Sequence, residues 1–175
     1  IEVRGRTDPV KCWKTAGHGT QTLTEALENS CNCALVQIGE KIGAEKFYEY
    51  VKAFGLMNTT GVDLSGESGS IWWPTDEFCD PNNMSSLAAA SFGQTFNVTP
   101  MQMITAISAV ANGGSLMKPY IVSQITDSQG NAEKVNESTV VRQVISEETS
   151  AKVRQILESV VANGTGKNAY VAGYR

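Results

Sequence analysis

Apolar residues in the first part of the chain recur every three to four positions, which is typical of amphipathic helices. A helix is expected to begin after Thr22, because Glu25 three residues later completes a Thr-x-x-Glu capping box. The apolar pattern then continues to Gly43 and again to Gly55, and glycine favours the left-handed conformation that ends a helix. We therefore predict three helices in succession: one that begins at Thr22, a second over residues 34–42 and a third over roughly 44–53.

The middle of the chain loses this period and then regains it. Residues 56–83 are rich in glycine, serine and proline and are expected to form a long loop, which Trp72-Trp73 would anchor. Asn83 is expected to cap a short alanine-rich helix, and Thr99-Pro100 is a strong start signal for the next one. The buried face predicted for that next helix consists of Met103, Ile104, Ile107, Val110 and Ala111.

The last third changes to strand-like runs followed by one long helix. Residues 120–125 and 139–145 are predicted as strands, joined by a turn at 127–131 and a polar stretch. Ser146 is expected to cap an amphipathic helix that ends at Asn163-Gly164. Its predicted apolar stripe consists of Val153, Ile156, Leu157, Val160 and Val161. The pattern as a whole predicts an α+β, mostly helical fold.

Composition narrows the function classes. Eighteen acidic against fourteen basic side chains give a net charge of −4, which argues against a nucleic-acid partner because phosphate binding needs a basic face. No run approaches about 18 consecutive apolar residues, the minimum for a membrane span, and no signal peptide precedes the charged residues after Ile1. The chain is expected to be an excised segment, and no cofactor is predicted.

The cysteines leave two interpretations to weigh. Cys12, Cys31, Cys33 and Cys79 are an even number, but a chain of 175 residues does not need disulfides for stability, so we predict free thiols. Cys31 and Cys33 with His18 are a conceivable metal cluster. A lone Cys-x-Cys lacks the paired Cys-x-x-Cys spacing of structural zinc sites, so no metal site is predicted. His18 is expected to make hydrogen bonds within a loop.

Ser30-Cys31-Asn32 lies at the junction between the first two predicted helices, where polar side chains can face a cleft. Serine and asparagine also favour such junctions merely as caps. The triplet matches a Ser-x-Asn motif, and its surroundings give the match its weight. The triplet and the sequence runs around it are HGTQ at 18–21, ENSCN at 28–32, FG at 54–55, TGVDLSGE at 60–67, SFGQ at 91–94, VTPMQ at 98–102, ANGG at 111–114, KPYI at 118–121, ESVV at 158–161, GTG at 164–166 and VAGYR at 171–175.

In order and spacing these runs resemble the transpeptidase domain of class B penicillin-binding proteins, over nearly the whole chain, and the division and sporulation transpeptidases in particular. The resemblance implies a β-lactamase-like fold, with 1–115 as its mainly helical subdomain and 116–175 leading toward a Lys-Thr-Gly strand. It implies a serine acyl-enzyme that cross-links peptidoglycan stem peptides and is inhibited by β-lactams. It also implies a membrane-anchored parent whose domain is extracytoplasmic.

The resemblance also implies residue roles. Ser30 would hydrogen-bond the lysine of the nucleophile motif and relay a proton to the leaving nitrogen. Asn32 would hold that lysine and donate its amide to the substrate carbonyl. Gly93 and Gln94 are expected to shape the substrate-binding wall. Thr95 departs from the family, which usually has a glycine there.

Two of the family's three catalytic motifs are not found in a suitable context. The run Ser115-Leu116-Met117-Lys118 is literally Ser-x-x-Lys, but it follows two glycines and enters a predicted strand, whereas a nucleophile of this kind opens a buried helix. We therefore expect the isolated segment to be inactive and, with open apolar surface, to self-associate. The alternatives are a non-catalytic penicillin- or peptide-binding sensor module and a purely structural fragment. Asp63 and Glu67 are expected to serve turns and caps.

Overall fold

The computed structural model describes residues 1–174, so Arg175, the last residue of the VAGYR run, lies outside the described residues. The chain divides into two compact units. The first unit comprises residues 1–50 and 72–96 with the segment from Lys152 onward, and the second unit comprises residues 51–71 and 97–151. No helix within residues 1–174 combines the length and the apolar character needed to cross a bilayer.

The described residues form seven α-helices, one 3₁₀ turn and four short strands. The helices are α1 (Leu23–Glu28), α2 (Asn32–Ile42), α3 (Ala44–Ala53), α4 (Thr75–Phe78), α5 (Ser85–Ser91), α6 (Pro100–Ala111) and α7 (Glu147–Asn163), with the 3₁₀ turn at Lys167–Ala169. The strands are β1 (Ser115–Met117), β2 (Gln124–Thr126), β3 (Ala132–Val135) and β4 (Val140–Gln143). This helix-rich mixture agrees with the predicted fold class.

Local signals fixed most helix ends as predicted. The capping box of Thr22 and Glu25 is formed at the start of α1, and α2 ends at Gly43 with φ +82°. Thr99 caps α6, with a second capping box to Gln102. Ser146 accepts a hydrogen bond from the backbone N–H of Thr149 at 3.1 Å and so caps α7. In that helix the predicted stripe is partly buried except at Leu157, which is 40% exposed.

Helix α5 forms the centre of the first unit. Residues 86–90 of this helix are all buried, and α5 packs against α2. The closest approach is at Gly39 of α2, where any Cβ would collide with the Ser91 side chain. Phe78 and Leu87 belong to a hydrophobic cluster against which Trp72 and Trp73 pack, so the tryptophan pair anchors the long loop as predicted.

Two details near α5 differ from the prediction. The four-residue helix α4 lies inside the segment predicted as loop, and Phe78 at its end is fully buried. The N-cap residue of α5 is Met84 rather than Asn83, although the Asn83 side chain does accept a hydrogen bond from the Ser85 N–H at 3.2 Å.

Strand β3 in the second unit was not predicted. The polar stretch after the turn at 127–131 forms β3, which pairs antiparallel with β2, whereas β4 pairs antiparallel with β1. Asp127 fixes the turn, because its carboxylate accepts hydrogen bonds from the backbone N–H groups of Gln129 and Asn131, both at 2.8 Å. Every residue of β2 and β3 is exposed, so the sequence lacks the alternation of apolar and polar residues that would have revealed β3.

The predicted buried face of α6 is also wrong. Gln102, Ala106 and Ala109 are the buried residues of this helix, whereas Met103, Ile104 and Ile107 are 41%, 58% and 49% exposed. The small alanines allow close contact with β1, and α6 contacts β1 extensively. Gln102 can be buried because its amide donates to the Asn58 carbonyl at 2.7 Å while its side-chain oxygen accepts from the Thr99 N–H.

Candidate functional site

The Ser-x-Asn triplet lies in the sharp junction between α1 and α2. Asn29 is the C-cap of α1 and Cys31 is the N-cap of α2, so Ser30 alone separates the two helices. Ser30 has φ +46°, in the left-handed region where a residue other than glycine is under strain. The direction of the chain therefore changes at Ser30, and this leaves its side chain exposed.

Neither Ser30 nor Asn32 acts as the predicted alternative, a helix cap. Cys31 caps α2 without any side-chain hydrogen bond. The Asn32 amide donates to the Lys11 carbonyl at 3.2 Å. The Ser30 hydroxyl has no hydrogen-bond partner within residues 1–174.

Distant segments of the first unit hold the end of α1 just before Ser30. The Glu28 carbonyl accepts a hydrogen bond from the Thr165 N–H at 2.8 Å, and the Glu28 carboxylate accepts one from the Ser159 hydroxyl. Gly164 permits this approach, because a Cβ there would lie 2.5 Å from the same Glu28 carbonyl oxygen. The indole N–H of Trp13 donates to the Asn29 carbonyl at 2.9 Å. These contacts hold the strained serine in place.

A second group of chemically active side chains lies beside the triplet. The donor atoms of Cys12, His18 and Cys31 all lie within 4.8 Å of one another, and all three residues line a cavity of about 630 Å³. Cys33 lines the same cavity, but its sulfur is directed to the Val10 carbonyl at 3.5 Å. The cluster thus contains Cys12, which sequence reasoning missed, in place of Cys33. Spacings of six and thirteen residues gave no signal of it.

The thiol of Cys31 is held in a setting that favours the thiolate. Burial raises its pKa, but the neighbouring Ala34 backbone N–H, the Gln21 side chain and Cys12 outweigh that effect, and the pKa falls below its usual value. Its position at the N-terminus of α2 has the same physical basis, since unpaired backbone N–H groups there stabilise negative charge.

Gly93 and Gln94 follow the C-terminal end of α5. Gly93 has φ +79°, and the Gln94 N–H donates to the Ala89 carbonyl at 2.9 Å, which closes the helix end. Within the described residues no hydrogen bond joins either of them to the Ser30–Asn32 triplet. Thr95 next to them has φ +70°, a conformation in which a β-branched side chain is strained. Its position therefore needs the geometry that glycine adopts most easily.

The literal Ser-x-x-Lys run lies in the second unit and is structural. Ser115 begins β1, and its hydroxyl donates to the Gln143 side chain at 2.8 Å. Its N–H donates to the Asn112 side chain at 3.0 Å. Lys118 is exposed after the strand. No helix places the lysine one turn beyond the serine, so the expectation that this run is not a nucleophile motif agrees with its strand geometry.

The carboxylates of Asp63 and Glu67 also serve the backbone. Asp63 accepts hydrogen bonds from the N–H groups of Ile121 and Val122 at 2.8 and 3.0 Å, and chiefly the Ile121 bond lowers its pKa. Glu67 accepts from the N–H and hydroxyl of Thr60 at 2.6 and 2.7 Å. Desolvation acts to raise the Glu67 pKa, but its hydrogen bonds lower it overall. Both carboxylates thus have the turn duties predicted for them.

Comparison with known proteins decides the family. Residues 2–175 match the model of the penicillin binding protein transpeptidase domain. The chain belongs to this family. It is 45% identical to stage V sporulation protein D of Bacillus subtilis over an alignment of 167 residues that covers 95% of this chain. The transpeptidase signature therefore extends over both units.

Solved structures agree with this assignment. The D,D-transpeptidase domain of a peptidoglycan glycosyltransferase from Eggerthella lenta superposes with a TM-score of 0.84 at 27% identity, over 98% of this chain and 44% of that one. The imipenem acyl-enzyme complex of penicillin-binding protein A from Mycobacterium tuberculosis gives 0.82 at 25% identity, over 99% and 39%. The chain spans 25% of the length of the Bacillus protein. It is therefore one part of a transpeptidase domain in comparison with these relatives.

Proposed function

We propose that the protein containing this chain is a serine-type D,D-transpeptidase that cross-links peptidoglycan stem peptides and is acylated by β-lactams. The observation that carries the proposal is the Ser30-x-Asn32 triplet in a chain of this family. Its serine is exposed at a helix junction, its backbone is strained, and its hydroxyl has no hydrogen-bond partner within residues 1–174. A polar group without a partner at a strained position is typical of a functional site rather than of a cap.

Acyl transfer gives the two side chains distinct tasks. The reaction needs an activated nucleophile, a proton donor for the leaving amine and groups that hold the peptide in line. The Ser30 hydroxyl both donates and accepts, so it suits proton relay to the leaving nitrogen. The Asn32 amide suits two tasks at once, holding the lysine of the nucleophile motif and donating to the substrate carbonyl. The nucleophile and the oxyanion donors are supplied by residues outside this segment.

Gly93 and Gln94 have a smaller part in the proposal. A positive-φ glycine at the end of α5 exposes backbone, and Gln94 beside it is exposed as well. Such a turn can present backbone and amide groups to an extended peptide. We therefore assign these two residues to the wall that receives the stem peptide or the β-lactam.

The family also supports a proposal for the setting of the reaction. Peptidoglycan is assembled outside the cytoplasmic membrane, so the domain acts extracytoplasmically in a membrane-anchored protein. The 45% identity to a stage V sporulation protein favours a role in the wall of the spore.

A labelling experiment with the full-length protein tests this function. We expect fluorescent penicillin to give a covalent band on a denaturing gel, and a synthetic stem pentapeptide to release D-alanine in competition with it. Reversible binding without a covalent band would contradict the transpeptidase proposal and favour a sensor module. The variant Ser115→Ala should label as strongly as the wild type.

The isolated 175-residue chain is the matched comparison. It should give no covalent band, because its one Ser-x-x-Lys run lies in a strand. A band from the isolated chain that disappears in Ser115→Ala would overturn the structural assignment of that serine.

A further inference from the structure

The Cys12, His18 and Cys31 cluster has no part in the proposed acyl transfer. Cys12 and His18 come from the irregular segment before α1, and Cys31 is the N-cap of α2. The His18 ring packs edge-on against Trp13, with ring centroids 5.3 Å apart. Two separate segments of the chain thus bring two sulfurs and an imidazole to within 4.8 Å of one another.

The spacing of the donor atoms fits a tetrahedral metal ion. The Cys12 Sγ and the His18 Nδ1 are 3.4 Å apart. Around Zn²⁺, with Zn–S of roughly 2.3 Å and Zn–N of roughly 2.05 Å, the sulfur–nitrogen edge of a tetrahedron is about 3.6 Å and the sulfur–sulfur edge about 3.8 Å. All three donor atoms already lie within 4.8 Å of one another, so shifts of about 1 Å or less complete that geometry.

The imidazole is not committed elsewhere. The second ring nitrogen of His18, Nε2, is buried and has no hydrogen-bond partner within the described part of the chain. A neutral ring that carries its proton on Nε2 leaves the lone pair of Nδ1, the nitrogen that lies 3.4 Å from the Cys12 sulfur, available to bind a metal. The predicted role of His18 as a loop hydrogen-bonder therefore accounts for only one of its two nitrogens.

The charges of the ligands suit a divalent ion. Cys31 is only 4% exposed, so an ion bound there is largely removed from water and its ligands have to balance its charge. Cysteine binds a metal as the thiolate, so two cysteines and one neutral imidazole leave a bound divalent cation with no net charge. Sulfur and imidazole ligands also select soft or borderline ions, Zn²⁺ first among the abundant ones, and reject Mg²⁺ and Ca²⁺.

The geometry points to a Zn²⁺ site formed by Cys12, His18 and Cys31, with a fourth coordination position that opens into the adjoining cavity. That cavity, of about 630 Å³, is lined by all three ligands, so an ion can enter from solvent. An ion there would fix the N-terminus of α2, one residue before Asn32. None of the three ligands is a proposed catalytic residue, although Cys31 lies between Ser30 and Asn32 in the sequence.

Metal titration of the purified protein, reduced with a phosphine so that no disulfide competes, tests the site. We expect one equivalent of Zn²⁺ to bind in competition with a chromophoric chelator. One equivalent of Co²⁺ should give thiolate-to-cobalt charge-transfer bands in the near ultraviolet and the intense visible bands of a tetrahedral ion. Cys12→Ser, His18→Ala and Cys31→Ser should each weaken Zn²⁺ binding by more than the roughly 10–100-fold loss typical of an outer-shell partner.

Cys79→Ser is the matched control. Cys79 is another half-buried thiol, but it packs against the Phe78 cluster, so its loss should leave Zn²⁺ affinity unchanged. Circular dichroism of the metal-free variants shows whether each is folded, and Cys12→Ser, in the segment before α1, decides the matter if Cys31→Ser unfolds. No binding by the reduced wild type, an octahedral Co²⁺ spectrum, or binding that survives both Cys12→Ser and His18→Ala would overturn the assignment.

Discussion

Ser30 in the first unit and Ser115 in the second begin two motifs of the same kind, and their environments are opposite. Ser115 belongs to the better literal match, yet its hydroxyl and its N–H both have hydrogen-bond partners in the β1 region. Ser30 belongs to the weaker match, yet it has φ +46°, is exposed, and has no partner for its hydroxyl within residues 1–174. The fold therefore commits the hydroxyl of Ser115 to the sheet and leaves the hydroxyl of Ser30 available to other groups, a difference that the motifs alone do not reveal.

The largest effect should come from Asn32→Ala in the full-length protein. If the amide positions the lysine and the substrate carbonyl, its loss should cost about 2.7–4 kcal/mol of transition-state stabilisation, a fall of roughly a hundred- to thousandfold in the acylation rate. The second-order rate of β-lactam acylation measures it, with thermal unfolding measured in parallel. Ser30→Ala should lower the acylation rate less, because a water molecule can replace the hydroxyl as proton relay.

The capping alternative makes the reverse prediction. A lost cap lowers stability by about 0.5–2 kcal/mol and leaves the chemistry of the folded protein nearly unchanged. A drop in melting temperature with acylation within a few-fold of wild type would therefore contradict the role of Asn32.

Gly164→Ala tests whether the support behind Ser30 matters. The new Cβ would press on the Glu28 carbonyl and should destabilise the protein by about 1–3 kcal/mol, as overpacking does. Denaturant midpoints at constant slope measure this. Gly69→Ala is the control, because its Cβ would meet nothing within 4 Å and its φ is not left-handed, so we expect no loss. Equal losses of stability in both variants would mean that the close approach of Gly164 to the end of α1 is unimportant.

Smaller effects on stability are expected when the strained backbone at Thr95 or Ser30 is relieved by glycine. Thr95→Gly relieves a strained φ of +70° and should raise stability by up to about 1 kcal/mol, since the relief exceeds the extra entropy of glycine in the unfolded chain. Ser30→Gly should change stability by no more than about 1 kcal/mol but reduce acylation, because it removes the hydroxyl. Calorimetry measures the stability of both variants, and the rate of penicillin labelling measures acylation. Undiminished acylation in Ser30→Gly would contradict the role of the hydroxyl.

The smallest effect is a pH dependence in the second unit. The pKa of Asp63 is lowered in the folded state, mainly by the Ile121 N–H, so the unfolded state binds the proton more readily. Its contribution to stability is present above the unfolded pKa of about 3.9 and disappears as the pH falls through the lower folded value. The melting difference between wild type and Asp63→Asn should therefore narrow on acidification below about pH 4. A constant difference would show that the charge of Asp63 is irrelevant.

The sequence predicted the parts of the fold that depend on near neighbours. The capping box at Thr22 and the helix end at Gly43 are decided within one turn of chain, so both were confirmed. Strand β3 and the buried face of α6 depend on what lies opposite in space, so the strand was missed and the predicted face was wrong.

The candidate site was predictable as a motif but not as a geometry. The family resemblance singled out Ser30 and Asn32, while the positive φ of Ser30 and the approach of Gly164 to Glu28 arise only from tertiary contact. Cys12 was missed for the same reason, since no spacing in the sequence links it to His18 and Cys31. The catalytic roles themselves stay predictions.

The contact between Gly39 and Ser91 has a consequence for sequence variation among relatives. Helix α2, which begins at Asn32, meets the buried helix α5 at a point where no additional carbon atom fits. An alanine at 39 should therefore occur where 91 is glycine, because a Cβ at 39 would lie 2.9 Å even from the Ser91 Cβ. Enlargement at 39 would then require a change at 91 first, whereas a reduction at 91 alone creates no collision.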